Sequence, residues 1–253
     1  MHINADFMIL CGGLGKRLKP VTGETPKVLA EVQGEPFLDF LIRYLIRQGA
    51  RRMILCAGYK AEALEDHYKK KFEDIDLLFS IEREPLGTGG AFKNAEKLVK
   101  SDNLFGLNGD CFTPVRYADL LAFHQMRNAW GTLVAVRTDG NKDFGTIVMN
   151  EQDEIVAFKE KVETKEVQYI SAGIYCFRRE VLEIMPEDKF SIEYDFFPRM
   201  IGPSGKGPGG RAAGNGRLNG RQFLGYKLDA PFIDIGTPER FEWAKKHLGE
   251  MLQ

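Results

Sequence analysis

The 253 residues read as one α/β domain built on a Rossmann-like, doubly wound, mostly parallel sheet with an antiparallel extension. Three observations predict it. Apolar runs alternate with helical stretches through the first 130 residues, strand-like runs then succeed one another without helices between them, and a glycine-rich turn directly follows the first apolar run.

Residues 6–11 are a buried-strand run that enters Gly12-Gly13. Over residues 37–48, Phe37, Leu38, Phe40, Leu41, Tyr44 and Leu45 recur at helical spacing, and Pro36 before and Gly49 after mark both ends of the helix. The alternation continues with strands at 52–57, 76–81 and 103–108 and helices at 60–72, 90–99 and 115–129. Such an order needs right-handed crossovers and a parallel sheet covered on both faces. Strand-like runs follow at 131–137, 144–150, 154–159 and 168–177, with a turn at 150–153. A helix at 191–201, short strands at 223–228 and 231–235, and a helix at 238–252 opened by Pro238 close the chain. No internal repeat is present. Residues 202–220 hold eight glycines and two prolines and only Leu218 as a large apolar side chain, so this segment is expected to be a surface loop.

Composition narrows the functions. Thirty-five basic against thirty-six acidic residues leave a net charge of −1, so no global field recruits nucleic acid or anionic lipid, and anion binding must be local. The apolar runs are too short to cross a bilayer and no signal peptide leads the sequence, which points to a cytoplasmic protein without membrane attachment. Cys11, Cys56, Cys111 and Cys176 lie far apart with no CxxC pair, which favours reduced, buried thiols over zinc or disulfides.

The local anion site is Gly12-Gly13-Leu14-Gly15-Lys16-Arg17-Leu18. Its glycines allow successive N–H groups to point at phosphate oxygens. Leu18 stands where the dinucleotide fingerprint has its third glycine, and Leu10 and Arg17 stand where the P-loop has glycine and Ser/Thr, so both common nucleotide motifs are broken. A dinucleotide-dependent oxidoreductase is thereby disfavoured. Lys16, Arg17, Lys19 and Lys27 against Glu24 give residues 12–27 an excess of +3, which suits a polyphosphate.

Cys11-Gly-Gly-Leu-Gly-Lys-Arg-Leu-Lys-Pro followed by Thr25-Pro-Lys27 resembles the G-G-x-G-x-R-L-x-P…P-K signature of the sugar-1-phosphate nucleotidylyltransferases. The resemblance implies a GT-A-like nucleotidyltransferase fold as a single domain, with residues 1–130 as nucleotide-binding half and 131–253 as sugar-binding half. It implies a nucleoside triphosphate held by Leu10, Gly12, Gly13 and Gly15, Arg17 facing the departing pyrophosphate, and Lys27 bridging phosphates of both substrates. Gly87 and Thr88 of Glu84-Pro-Leu-Gly-Thr-Gly-Gly-Ala lie against the base in the family. Asn108-Gly109-Asp110 ends a strand at the edge where open α/β sheets bind ligands. With Asp234 of Phe232-Ile-Asp-Ile-Gly-Thr-Pro, Asp110 resembles the family's two magnesium-holding aspartates. Gly109, Glu160 and Lys161 of Phe158-Lys-Glu-Lys, Gly173 of Ser171-Ala-Gly-Ile-Tyr, and Glu193 of Ser191-Ile-Glu-Tyr-Asp-Phe-Phe-Pro are implied on the sugar 1-phosphate side, with Ser171 where the family carries Asn.

Ile81-Glu-Arg-Glu-Pro-Leu-Gly-Thr-Gly-Gly-Ala, Pro36-Phe-Leu and Phe232-Ile-Asp-Ile-Gly-Thr-Pro-Glu are most similar to the D-glycero-α-D-manno-heptose 1-phosphate guanylyltransferases, which implies GTP and that heptose 1-phosphate as substrates. Alternatives are mannose-1-phosphate guanylyltransferase, weakened by the lack of a hexapeptide-repeat extension, a glucose-1-phosphate thymidylyl-, uridylyl- or cytidylyltransferase, and a non-catalytic sensor of nucleotide sugars. Self-association is left open.

Overall fold

The computed structural model describes residues 2–13, 15–138, 145–159, 168–201 and 222–252. The expected strand–helix alternation is present: β1 (Asp6–Leu10), α1 (Lys19–Thr22), β2 (Glu31–Val32), β3 (Glu35–Pro36), α2 (Phe37–Gln48), β4 (Arg52–Ala57), α3 (Ala61–Tyr68), β5 (Asp76–Ile81), α4 (Gly87–Asn94), β6 (Asn103–Asn108), β7 (Cys111–Phe112) and α5 (Tyr117–Met126). The second half carries β8 (Gly131–Thr138), β9 (Thr146–Met149), β10 (Ile155–Lys159), β11 (Gln168–Arg178), α6 (Glu180–Glu183), α7 (Phe197–Ile201), β12 (Phe223–Leu228), β13 (Ile233–Asp234) and α8 (Pro238–His247). The glycine-rich segment 202–220 and the implied sugar-side residues Glu160 and Lys161 lie outside the described residues.

Strands β6, β1, β4 and β5 pair in parallel in that order. The extension is antiparallel: β11 pairs with β8 along one edge and, along the other, with β9 through Tyr169 and Ile170 and with β6 from Ile174 to Arg178, and β10 pairs with β9. β12 returns parallel to β8. Buried runs such as Phe7-Met8-Ile9 and Leu104-Phe105 are apolar on both faces because helices cover both sides. One face packs α2, α5 and α8 around Phe7, Phe105, Tyr117, Tyr44 and Phe112, whose rings meet mostly edge to face. The other packs α4, α6 and α7 around Met8, Phe92, Tyr175, Phe177 and Phe197. Each such fully buried aromatic contributes roughly 1.5–3 kcal/mol of transfer free energy.

Some expected boundaries move for physical reasons. The helix expected at 191–201 is a π-helical turn at Ile192–Phe196 that passes into α7. Ser191 sets that turn, since its hydroxyl accepts the Tyr194 N–H at 3.2 Å while its own N–H donates to Asp195 Oδ2 at 2.7 Å. The helix expected to start at residue 90 starts at Gly87, one turn earlier, and the closing helix gives way to a 3-10 turn at Leu248–Leu252. The turn at 150–153 is as expected: Asn150 Oδ1 accepts the N–H groups of Gln152 at 3.0 Å and Glu154 at 2.9 Å. All four cysteines are free and buried. Among the described residues no helix is long and apolar enough to cross a membrane.

Candidate active site

The carboxyl ends of β1 and β6 stand side by side, with Leu10 paired to Asn108. The chain leaves β1 held on both sides, because Gly109 N–H donates to the Leu10 carbonyl at 3.0 Å and Cys11 N–H donates to the Cys56 carbonyl at 2.8 Å. Gly12 then lies against the Gly58 amide and the Glu82 carboxylate, while among the described residues nothing lies within 4 Å of the position a Cβ would take on Gly13. Gly15 has φ +57, and a Cβ there would press on Lys27 at 3.2 Å, so a side chain would be strained and would push Lys27 away. Leu18, which breaks the dinucleotide fingerprint, is fully buried and anchors the loop; its N–H donates to the Gly15 carbonyl at 2.9 Å.

Lys27 sits on a 3-10 turn, Lys27–Leu29, and its ammonium is ion-paired with Asp110 Oδ2. Asp234 reaches the same place through a two-residue ribbon in which β13 pairs antiparallel with β7, Asp234 opposite Cys111. Ile235 N–H donates to the Asp110 carbonyl at 3.0 Å, and Thr113 Oγ1 donates to the Pro231 carbonyl at 2.8 Å, which fasten the ribbon at both ends. Asp234 Oδ1 accepts the Gly236 N–H, and its Oδ2 lies 3.3 Å from Arg240 Nη1. A Cβ on Gly236 would come within 3.5 Å of Arg17 Nη2, which brings the fourth member to the same rim. Arg17, Lys27, Asp110 and Asp234 thus stand close together at one rim of the sheet.

Electrostatics separates the two aspartates. Burial pushes the Asp110 carboxyl up, but the charge of Lys27 and its hydrogen bond outweigh this and hold it below the usual range. Lys27 is held above its usual value in turn: burial lowers it, and the charge and hydrogen bond of Asp110, with smaller help from Cys111 and Asp234, together more than offset that. Asp234 is raised, first by burial and then by the charge of Asp110, against weaker opposing effects of the Gly236 N–H, Arg240 and Lys27. A carboxylate raised by the charge of its neighbour makes, with that neighbour, a donor set suited to a hard divalent cation. Among the described residues no group of three or more His, Cys, Asp or Glu gathers as a metal cage.

On the sugar side, Glu193 projects from the π-helical turn and Tyr175 from β11. Tyr175 Oη donates to Glu193 Oε1 at 2.8 Å, and the Ser171 hydroxyl hydrogen-bonds to both. Burial raises the Glu193 carboxyl, the nearby charge of Asp110 adds to this, and Tyr175 and Ser171 oppose it. The charge of Asp110 thus links this cluster to the paired aspartates. Gly173 bulges between these partners with φ +66, and a Cβ there would collide with the Asn108 amide. Gly109 is wedged between the Leu10 carbonyl and Val28.

The implied base loop packs against Phe190 and the π-helical turn. The Cβ directions of Gly87 and Gly89 are filled by Phe190, and Thr88 Oγ1 accepts the Ile192 N–H at 3.0 Å, so these residues weld α4 to the π-helical turn. The group that faces the glycine loop here is Glu82, which sequence reasoning passed over. Its Oε2 accepts the Leu86 N–H at 3.1 Å, and its carboxylate lies against Gly12 and Gly58. Burial raises it, with the Leu86 N–H and Lys189 opposing. Its place one residue past β5, opposite a glycine turn, is the signal that could have found it.

Comparison with known proteins agrees with this geometry. The nucleotidyl transferase family model matches residues 7–201. D-glycero-alpha-D-manno-heptose 1-phosphate guanylyltransferase of Aneurinibacillus thermoaerophilus is 34% identical over 244 residues, 96% of this chain and 98% of that protein. The crystal structure of HddC from Yersinia pseudotuberculosis complexed with GMP-PN superposes with a TM-score of 0.80 at 32% identity, covering 96% of this chain and 99% of that one. The inositol-1-phosphate CTP transferase from T. maritima, at 16% identity and TM-score 0.78, shares the fold. With its glycine loop, paired cations and paired aspartates at one rim of the sheet, the chain belongs to the nucleotidyl transferase family.

Proposed function

We propose that the protein transfers a guanylyl group from GTP to D-glycero-α-D-manno-heptose 1-phosphate, with Mg²⁺, releasing pyrophosphate. The observation that carries this reading is the convergence of Arg17, Lys27, Asp110 and Asp234 around one cleft beside the glycine loop. The A. thermoaerophilus relative and the HddC complex support the choice of base and sugar.

An oxygen of the sugar 1-phosphate attacks the α-phosphorus of GTP, a P–O bond to that oxygen forms, and the bond to the pyrophosphate oxygen breaks with its electrons going to the leaving group. The nucleophile is already anionic, so no general base is required and no covalent enzyme intermediate forms. What the chain supplies is alignment of two anions that repel each other. The N–H groups of Gly12, Gly13 and Gly15 receive phosphate oxygens next to Leu10. Lys27 leaves Asp110 for a bridging position between the phosphates of both substrates, and Arg17 meets charge as it develops on the pyrophosphate. Asp110 and Asp234 would hold Mg²⁺, which when bound neutralises phosphate oxygens and polarises the α-phosphorus. Lys161 is assigned to the sugar phosphate, and Glu160 and Glu193, with Gly109 and Gly173 shaping the seat, to sugar hydroxyls.

Glu82 accounts for guanine. A carboxylate accepts both the N1–H and the exocyclic N2–H of guanine, whereas the matching edges of adenine and cytosine present a ring acceptor and leave the carboxylate repelled. Gly87 and Thr88 remain the assigned frame of the base. The reading is tested by measuring pyrophosphate released from GTP, ATP, CTP, UTP and dTTP against heptose, mannose and glucose 1-phosphates, with and without Mg²⁺. GTP with the heptose 1-phosphate is expected to turn over fastest and only with Mg²⁺; silence with every pair alongside tight binding of a nucleotide sugar would replace the enzyme by a sensor.

A further inference from the structure

One carboxylate beside the glycine loop has no part in the reaction just described, yet it is surrounded by donors. Glu24 Oε1 lies 2.9 Å from Lys19 Nζ, and its Oε2 receives Lys60 Nζ at 3.0 Å and Tyr59 Oη at 3.1 Å. Lys60 donates to the Glu24 carbonyl as well, at 2.6 Å. Lys19 follows Arg17 by two residues, and Lys60 follows Gly58, whose amide lies against Gly12. Two ammonium groups and a phenol from separate segments thus converge on a single anion at the margin of the phosphate loop. Lys19, then Lys60 and Tyr59, hold the Glu24 carboxyl down to about 2, so that anion is always charged.

The anion is also free to leave. Glu24 is 66% exposed, and α1, which leads to it, has no buried residue. Gly15 and Gly23 on either side of α1 both have positive φ, and behind the segment lies an open trough of about 630 Å³ between Val21, Thr22 and Thr25 on one wall and Leu29 and Phe241 on the other. A short helix with few packed neighbours, glycines at both ends and space behind it can swing without breaking the core. Lys60 adds a left-handed backbone, φ +55, which lysine adopts sparsely and which here aims its ammonium across the loop.

We propose that Lys19, Tyr59 and Lys60 form a binding site for the pyrophosphate portion of the nucleotide, and that Glu24 is a built-in competitor that fills the site until that anion displaces it and again when pyrophosphate departs. The site rests on the nucleotidyl-transfer reading for the identity of its anion. It adds two cations to Arg17 and Lys27, and the competition by Glu24 limits how tightly the product is retained.

The test is calorimetric titration of the full chain with inorganic pyrophosphate and, separately, with GTP, for the wild type and for Glu24→Gln, Lys60→Met, Lys19→Met and the Glu24→Gln/Lys60→Met pair. Lys60→Met and Lys19→Met are expected to weaken pyrophosphate binding by about three- to tenfold, the scale of a partly screened charge-assisted contact. Glu24→Gln is expected to tighten it by about threefold, with the pair resembling Lys60→Met. A matching pattern with GTP assigns the site to the bound nucleotide, and a pattern with pyrophosphate alone assigns it to the product. Weaker binding in Glu24→Gln would make Glu24 a mere buttress and overturn the proposal, as would unchanged binding in both lysine variants. Wild-type turnover is scored in parallel: turnover without the opposite-sign pattern sinks this site alone, whereas the pattern without turnover sinks the transfer reading alone.

Discussion

Strands β1 and β6 carry a carboxylate at each end, and the two ends treat it in opposite ways. At the amino end, Asp6 Oδ2 accepts the N–H groups of Lys100 at 2.6 Å and Ser101 at 2.9 Å, its Oδ1 is ion-paired with Arg52 Nε at 3.1 Å, and the carboxylate is buried with both oxygens engaged. At the carboxyl end, Asp110 shares a single ammonium with a neighbourhood that also contains Asp234 and Glu193, and burial and mutual repulsion raise both of those. A carboxylate with saturated partners is scaffold, while carboxylates left facing one another store a demand for cations. The same sheet is thus pinned at one rim and kept electrostatically unsatisfied at the other, where a metal and phosphates would complete it.

Breaking the unsatisfied rim should cost the most activity. Asp110→Asn keeps the shape and removes the charge, so pyrophosphate release is expected to fall by about a thousandfold or more with folding intact, as read by kcat and by circular dichroism. Activity within tenfold of wild type would remove Asp110 from the metal role.

Breaking the saturated rim should do the reverse. Asp6→Asn leaves Arg52 without its buried partner and is expected to destabilise the fold by about 3 kcal/mol, a Tm loss of roughly 6–12 °C, while kcat per folded molecule stays near wild type. Unchanged Tm would mean that the hydrogen bonds of Asp6 are dispensable.

A subtler contrast lies in Asp234. Its folded pKa is raised, so the unfolded chain loses this proton at lower pH than the folded one, and the contribution of Asp234 to stability falls as pH rises from the unfolded value through the folded one. At neutral pH and in the presence of a chelator, Asp234→Asn should therefore raise Tm by a few degrees while abolishing turnover. A lowered Tm would show that its contacts with Arg240 and the Gly236 N–H outweigh burial and repulsion.

Glu193→Gln should give the smallest change. It keeps the Tyr175 and Ser171 hydrogen bonds in outline and loses one acceptor for the sugar, so KM for the sugar 1-phosphate is expected to rise by about tenfold with KM for GTP unchanged. An equal rise in both would place Glu193 in the scaffold.

Much of this contrast was legible in the sequence because it rests on elements long enough to show a period. β4, β5, β6, β12 and α2 begin and end where their apolar spacing and flanking Pro and Gly place them. Motif order found Arg17, Lys27, Asp110 and Asp234, but not how they meet. That depends on the β7–β13 ribbon, whose two-residue strands are too short for any periodicity to reveal. Glu82 escaped because its partner Leu86 is reached through a tight turn, and Tyr175 because its partner Glu193 lies beyond α6 on the π-helical turn. The packing of Gly87 and Gly89 against Phe190 is a long-range contact with no local signature in the sequence.

The central claim, that Asp110 and Asp234 serve one shared cation site, is tested most directly by a double-mutant cycle on pyrophosphate release from GTP and the sugar 1-phosphate. If both hold the same cation, Asp110→Asn/Asp234→Asn should be no slower than the worse single variant. A loss equal to the product of the two single losses would mean independent roles and contradict the shared site.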